Sequence, residues 1–397
     1  MFDTFEPQKN KETYPLLQWM DKFVMKEVYL RQARDMMYEF EAQISELANM
    51  HRTPQSPKHH AEGPVMTYHL ERMLCALLAI ADGKADLMQI QEFASELNLK
   101  EAIIELQDTI SENAATLKAF IFVHDSAKYD CLTFDAPARS KGASEGFASP
   151  QKMSVKYLND RYIKLLKAFE IQHPNLSPVD LCVAFGQEYQ IKTSYKGHDK
   201  VASSAAYSDL REQVADICRL TTRDREMLYL LVKEHINEIS YFSKKPDGVR
   251  YKVMEAIAQK AGMDSGDVLD LQLASLFLDA AVGSLAYHDG GFDPDVKVVI
   301  NMLKSEELSG SLKNQARQSR LEDKKRKTFK SVLESCGLGS EDIFEILKTP
   351  FGAKRAEILA KVEDAVRYPE FALDNPELQK LYPQIQKARL LYQTKKR

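Results

Sequence analysis

The residues best suited to chemistry in this 397-residue chain are two neighbours, His124 and Asp125. They follow a nearly continuous apolar run, residues 117–123, and Lys128 comes about one helical turn later. Imidazole and carboxylate groups are common metal ligands, and both are costly to bury without a partner. The pair therefore predicts a divalent-metal site, where the Lys128 ammonium could hold a phosphate oxygen.

Four more residues with metal-binding side chains lie on or beside segments with helical apolar spacing: His69, His198, His235 and Asp279. A lone histidine on an apolar helix face is more often a core residue than a ligand, and His69 and His235 taken singly favour that interpretation. Asp279 is harder to explain without a metal, because the surrounding LASLFLDAAVGSLA offers no cation. Together these residues indicate a metal centre inside a helical bundle.

Apolar residues repeat with helical periodicity through nearly all of the chain, which predicts an all-α fold. Residues 16–50 predict one or two N-terminal helices, and Pro54, Pro57 and Gly63 predict a break after them. Further helices are predicted over residues 64–81, 85–98, 100–111, 114–128, 155–170, 178–189, 200–220, 224–242, 251–262 and 267–287. The segment 139–150, RSKGASEGFASP, predicts a mobile loop beside the metal site, either a lid or a plain surface excursion.

The organisation predicted from these segments has three parts: an N-terminal helical segment (1–53), a metal-binding helical bundle (54–300) and a basic helical C-terminal extension (301–397). A formal net charge of −4 gives no global attraction to nucleic acid or anionic membranes. Residues 313–330 are locally basic. A solvated helix face is the simpler interpretation of that strip, and an RNA docking site is the functional alternative.

The cysteine usage and the apolar runs predict where the protein works. Five cysteines without a C-x-x-C pair favour reduced thiols in a cytoplasmic protein. No charge-free apolar run is long enough to cross a bilayer, so we expect no membrane partner.

The ordered set His69, His124-Asp125, His198, His235 and Asp279 resembles the HD superfamily of metal-dependent phosphohydrolases, with HDSAK in place of the usual HD-x-G-K. Residues 54–69, PQSPKHHAEGPVMTYH, are similar to P-Q-x-P-x-W-H-P-E-G-x-x-x-x-H in the HD domain of bacterial tRNA nucleotidyltransferases. Residues 195–214 resemble that domain's F-x-G-H segment. The resemblance covers residues 54–287, and the gaps from His69 to His124 and from Asp125 to His198 are longer than usual.

The resemblance implies an HD-type helical bundle that holds one or two divalent ions. His69, His124, Asp125 and Asp279 would bind the first ion, and His198 and His235 a second, with Asp125 bridging. Mn, Fe, Co, Ni, Zn and Mg all suit such ligands. The catalytic residues that it implies are Asp125, Lys128 to orient the phosphate, Arg72 as a weaker second cation, and His60 and Glu62 for proton transfer or ligand support.

Hydrolysis is the activity expected from this resemblance. The residues before Pro54 lack the Asp-x-Asp pair that nucleotide addition requires. We therefore expect a phosphomonoesterase or 2′,3′-cyclic phosphodiesterase acting on nucleotides or RNA ends. Two alternatives stay open: a signalling-nucleotide phosphodiesterase, and a non-catalytic RNA-binding or scaffold protein with a structural metal pocket.

Overall fold

The computed structural model describes residues 14–288, 291–310, 329–348, 353–367 and 376–395. The chain divides into two compact units, Met1–Gly310 and Ser311–Arg397. Helices dominate both units, which confirms the all-α prediction. Among the described residues, no helix combines the length and apolar character that a bilayer span needs.

The first unit is built almost entirely from helices. Its α-helices are Pro15–Trp19, Glu27–Gln43, Met66–Ala81, Gln91–Ala94, Lys100–Glu112, Ala114–Val123, Lys141–Ser144, Val155–Gln172, Pro178–Tyr189, His198–Ala202, Ser208–Ile217, Thr222–Phe242, Gly248–Lys260, Ser265–Leu276 and Val296–Ser309. Its 3₁₀ turns are Ser45–Arg52, Leu87–Gln89, Leu97–Leu99, Ser126–Lys128 and Ala205–Tyr207, and its π-helical segments are Met20–Val24 and Phe277–Gly283. Two short antiparallel pairs complete it: Thr133–Asp135 with Lys192–Ser194, and Ala286–His288 with Gly291–Asp293.

Several of these helices begin where a side chain satisfies the free amides of the first turn. Thr221 and Asp224 form a reciprocal capping box at the start of Thr222–Phe242, the helix that carries His235. Ser177 caps Pro178–Tyr189, where proline at the first position removes one amide that would otherwise need a partner. Local chemistry thus fixes where these helices start.

The N-terminal helices belong to the core of the first unit. Leu16 and Met20 are buried, and the Phe40 ring stacks on Phe122 with centroids 3.9 Å apart. Phe122 lies on the helix that leads to His124. Residues on both sides of the predicted 53/54 boundary therefore share one core, and the helix Val296–Ser309 runs across the predicted 300/301 boundary.

Residues between Asp125 and His198 build a second hydrophobic cluster within the first unit. The cluster contains Leu132, Phe134, Phe147, Leu158, Tyr162, Phe169, Leu181 and Phe185 among its members. The paired strands Thr133–Asp135 and Lys192–Ser194 lie near the beginning and the end of this part of the chain. The stretch between Asp125 and His198 is therefore a packed part of the first unit.

The prediction of a mobile loop over 139–150 is wrong. The segment contains the helix Lys141–Ser144, whose start is capped by the Ser140 hydroxyl. Phe147 is fully buried against Phe134 and Tyr162. The burial of Phe147 outweighs the Gly/Ser-rich composition of this segment. The lid was predicted from that composition and loses its support.

Two long predicted helices are interrupted in the structure. In 200–220, the hydroxyls of Ser203 and Ser204 donate to carbonyls three residues earlier and compete with the helical pattern, so the chain leaves the helix after Ala202. In 267–287, the α-helix ends at Leu276 and continues as the π-helical segment before the strand Ala286–His288. Asp279 lies in that π-helical segment.

The second unit is helical, as predicted for the C-terminal extension. Residues 329–335 are helical, followed by Ser340–Leu347, Ala353–Arg367, the 3₁₀ turn Pro376–Leu381 and Tyr382–Lys395. Its apolar cluster includes Phe329, Val332, Ile343, Val362, Leu381 and Ile385. Most of the basic strip, residues 313–328, lies outside the described residues.

Candidate metal centre

Five separate segments bring the six metal-binding residues predicted from the sequence to one place. His69 lies on Met66–Ala81, His124 and Asp125 directly follow Ala114–Val123, and His198 is the first residue of His198–Ala202. His235 lies on Thr222–Phe242, and Asp279 lies on Phe277–Gly283. All six side chains are buried.

The first group consists of His69, His124, Asp125 and Asp279. His69 Nε2 lies 3.3 Å from His124 Nε2 and 3.3 Å from Asp279 Oδ1, and 3.8 Å from Asp125 Oδ2. His124 Nε2 lies 3.4 Å from Asp125 Oδ2 and 3.8 Å from Asp279 Oδ1. Ligands held about 2.1 Å from one ion are about 3.0 Å apart at right angles and about 3.4 Å apart at the tetrahedral angle. The spacing therefore fits one shared metal ion.

The second group shares Asp125 with the first. His198 Nε2 lies 3.0 Å from Asp125 Oδ1, and candidate ligand atoms of Asp125, His198 and His235 all lie within 4.8 Å of one another. His235 Nε2 is buried and has no hydrogen-bond partner among the described residues. A buried nitrogen without a partner is costly, and a metal ion would satisfy it.

The other ring nitrogen of each histidine faces an acceptor. The Nδ1 atoms of His124, His198 and His235 lie 3.1, 2.9 and 2.7 Å from the carbonyl oxygens of Ile121, Tyr195 and Val232. His69 Nδ1 faces Glu62 Oε1 at 3.4 Å. These contacts hold an Nδ1 proton toward the acceptors, so Nε2 is the nitrogen that each ring presents to the cluster, as in metal-bound histidines.

Burial and charge explain the protonation of the first group without a metal. Burial lowers the pKa of His69, but Asp279 and Glu62 outweigh it and raise that pKa to about 10. Burial raises the pKa of Asp279, yet His124 and His69 hold it well below its usual range. A proton on His69 thus supplies the positive charge that the carboxylates require, and a divalent ion would replace it.

The surrounding groups have pKa values that suit a metal site. Burial lowers the pKa of His235 to about 4, so the ring is neutral and able to bind at neutral pH. Burial raises the pKa of Glu62, but His60 and His69 outweigh it and bring that pKa to about 2. Glu62 is held further by the Leu285 amide, which donates to Oε2 at 3.1 Å. It is therefore a fixed, ionised acceptor behind His69.

A cavity of about 430 Å³ opens beside the cluster. Asp125, Asp279, Lys128 and His60 line it. Lys128 Nζ lies 2.6 Å from Asp125 Oδ2 and 3.4 Å from His60 Nε2. The buried carboxylates therefore share one wall of the cavity with an ammonium and a neutral imidazole, whose pKa is lowered by burial and by Lys128.

Arg72 does not join this group. Its Nε donates to the carbonyl of Val282 at 3.0 Å, and its guanidinium lines a different cavity, shared with Arg34 and Glu71. Burial lowers its pKa. The contact with Val282 ties the end of the Asp279 segment to the His69 helix, which is a structural role rather than the predicted phosphate contact.

Two residues of the site, Gly283 and Tyr195, were not predicted from the sequence. Gly283 lies so close to His69 that a Cβ atom there would come within 2.7 Å of His69 Cε1. A glycine inside an apolar helical run was the available signal, since it often marks a close backbone approach. Tyr195 is the second of these residues. Lys128 Nζ lies 5.6 Å from the centre of the Tyr195 ring, and the Tyr195 carbonyl accepts a hydrogen bond from His198.

No protein-family model, curated protein or solved structure matches this chain. Buried histidine and carboxylate groups in it could hold a metal ion. The donor set, imidazole nitrogens with carboxylate oxygens, suits Zn and the divalent ions from Mn to Ni better than a thiolate-selecting metal.

Proposed function

We propose that this protein is a metal-dependent phosphohydrolase of the HD type, acting on a phosphomonoester or a 2′,3′-cyclic phosphodiester of a nucleotide or RNA end. The observation that carries the proposal is the convergence of four histidine Nε2 atoms and two carboxylates beside a cavity lined by Lys128. The ordered motif HDSAK and its flanking segments support the same family.

The cavity favours a catalytic site over a structural one. Structural metal sites are closed by protein ligands on all sides, whereas catalytic sites keep a position open for water or substrate. Here Asp125 and Asp279 line the cavity while three of the four histidines, His69, His124 and His235, lie deeper, at 0–1% exposure. A substrate could therefore reach the carboxylate side of the cluster.

A divalent ion in the cluster would supply Lewis acidity toward a phosphate oxygen and would lower the pKa of a water molecule that attacks phosphorus. The protein itself contributes positioning and charge. Lys128 would exchange part of its contact with Asp125 for a phosphate oxygen, and neutral His60, 3.4 Å from Lys128 Nζ, can accept a proton at Nε2.

The experiment is hydrolysis of 2′,3′-cyclic nucleotides, nucleoside monophosphates and an aryl phosphate with Mn²⁺, Co²⁺, Ni²⁺, Zn²⁺ and Mg²⁺. We expect turnover with at least one ion, its loss in His124→Ala, and its retention in the matched control His173→Ala, which alters an exposed histidine. Lys128→Met should retain metal and lose about a hundredfold or more in kcat/KM. Equal turnover in His124→Ala and wild type would overturn the proposal.

The two alternatives predict different results in the same assay. A signalling-nucleotide phosphodiesterase would hydrolyse cyclic or pyrophosphorylated nucleotides in preference to 2′,3′-cyclic ones. A scaffold with a structural metal pocket would bind the ion, unfold at lower temperature without it and hydrolyse nothing. RNA docking on residues 313–330 stays a prediction from the sequence.

A further inference from the structure

The wall of the cavity contains two carboxylates besides those of Asp125 and Asp279, namely Asp293 and Asp295. Asp293 ends the strand Gly291–Asp293, and Asp295 directly precedes the helix Val296–Ser309. Burial, together with the charge of Asp293, raises the pKa of Asp295 to about 6, which is evidence that the two groups are close. The cavity thus has carboxylates at the metal cluster and a separate carboxylate pair elsewhere on its wall.

The rest of the described lining is apolar or neutral. Ile236, Ile239, Ala280 and Ala286 provide an apolar surface, and Lys128 is the one lysine or arginine among the described residues that line the cavity. Polyanions are recognised by several lysine and arginine side chains together, because each phosphate needs a compensating charge. This lining offers a single ammonium, and its carboxylate pair Asp293 and Asp295 would repel a further phosphate that entered the same cavity.

We propose, building on the proposed function, that the substrate is a small hydroxyl-bearing phosphate monoester with no second phosphate group. Its phosphate would lie between the metal cluster and Lys128. Its hydroxyl groups would donate to Asp293 and Asp295, as ribose hydroxyls donate to acidic side chains in nucleotide sites. Like-charge repulsion from the same pair would exclude bisphosphates, pyrophosphates and the phosphodiester backbone of an RNA end.

The experiment compares adenosine 5′-monophosphate, adenosine 3′,5′-bisphosphate and 2′,3′-dideoxyadenosine 5′-monophosphate. Binding to the full chain with Mn²⁺ is measured by calorimetry, and hydrolysis of the 5′-phosphate is measured in parallel. We expect the monophosphate to bind at least about tenfold more tightly than either analogue, since one analogue adds charge and the other removes the hydroxyls. Equal affinity for the three ligands, or no binding of the monophosphate, would overturn the inference.

The variant Asp293→Asn/Asp295→Asn tests whether this pair causes the preference. We expect it to bind the bisphosphate about tenfold better relative to the monophosphate, while Asp35→Asn/Asp108→Asn, which removes the same charge from exposed positions, leaves the preference unchanged. Asp293→Asn alone alters an exposed residue, so the single variant serves if the double one misfolds. An unchanged preference in these variants would contradict the assignment.

Failure of the inference and failure of the proposed function are distinguishable. If the monophosphate binds with the expected preference and no ion supports its hydrolysis, the proposed function fails and the cavity's selectivity stands. If all three ligands are hydrolysed equally well, the phosphohydrolase stands and the carboxylate pair has no role in choosing its substrate.

Discussion

His198 Nε2 lies 3.0 Å from Oδ1 of Asp125, while Oδ2 of the same carboxylate faces His69 and His124. Asp125 therefore contacts both groups of candidate ligands, one with each oxygen. A carboxylate in that position can bridge two ions about 3.5–4 Å apart, the arrangement of two-metal phosphohydrolases. The number of metal ions bound per chain can therefore test whether both groups bind an ion.

We expect His235→Ala to lower the bound metal from two ions to one per chain. His235 contributes to the second group alone, and the first group keeps its four ligands. Asp279→Ala should instead remove the first ion, since Asp279 contacts His69 and His124. Elemental analysis after dialysis against Mn²⁺ measures both. Both variants should therefore bind one ion per chain, and retention of two ions or loss of both ions in either variant would argue against two separate groups.

Metal binding should release a proton from His69. The pKa of His69 is raised to about 10 in the metal-free folded chain, against about 6.5 for an unperturbed imidazole. That proton stabilises the folded state fully below pH about 6.5, and the contribution is lost as the pH rises through about 10. The ring must be neutral to bind an ion, so metal affinity should rise about tenfold per pH unit between pH 7 and 9.

Calorimetry in two buffers with different ionisation enthalpies measures this release. We expect about one proton per first ion at pH 8. A release near zero at that pH would mean that His69 is already neutral and that the carboxylates around it do not raise its pKa.

Glu62→Gln should weaken metal binding about 10- to 100-fold without removing a ligand. Glu62 Oε1 faces His69 Nδ1 at 3.4 Å and fixes the ring orientation, and its charge raises the pKa of His69. The substitution should therefore also reduce the number of protons released on binding. A weaker affinity with an unchanged proton count would show a merely steric role.

Gly283→Ala should lower metal affinity while the protein stays folded. The new Cβ would lie 2.7 Å from His69 Cε1 and from Met73 Cγ, so the His69 ring must shift. The exposed Gly262, where a Cβ would meet nothing within 4 Å, has a positive φ and is a poorer control. Ala94→Gly is the better comparison, because it alters an exposed position in a helix that contributes no candidate ligand.

Phe147→Ala should cost about 3–5 kcal/mol of unfolding free energy, because the ring is fully buried in the second hydrophobic cluster. Tyr38→Ala removes an aromatic ring that is 64% exposed and should cost far less. Urea unfolding measures both. A small effect at Phe147 would restore the prediction that residues 139–150 form a mobile loop.

The helices and the cluster of candidate metal ligands were predictable, because both depend on residue type and spacing along the chain. Apolar periodicity predicted the helices that carry His69 and His235, and the lack of a nearby cation singled out Asp279. The burial of Phe147 was not predicted, because the surrounding sequence is rich in glycine and serine and was interpreted as a loop. The predicted phosphate contact of Arg72 was wrong. Its hydrogen-bond partner, the Val282 carbonyl, is 210 residues away in the sequence and could not be found from local pattern.

The point at which the predicted helix 267–287 changes to π-helix was not predictable from the local sequence pattern. The π-helical segment Phe277–Gly283 brings Gly283 close to His69, and this contact joins parts of the chain that are distant in sequence. The cavity wall was not predicted for the same reason, because Asp293, Asp295 and Lys128 come to line one cavity only after folding.

The most direct test of the metal centre is thermal unfolding of the purified chain with elemental analysis before and after EDTA. We expect at least one divalent transition-metal ion per chain, a lower Tm after chelation, and recovery of Tm on addition of Mn²⁺ or Co²⁺. His124→Ala should bind less metal and respond less to EDTA. A chain that holds no metal in excess Mn²⁺, Co²⁺ or Zn²⁺, with the same Tm with and without EDTA, would contradict the account.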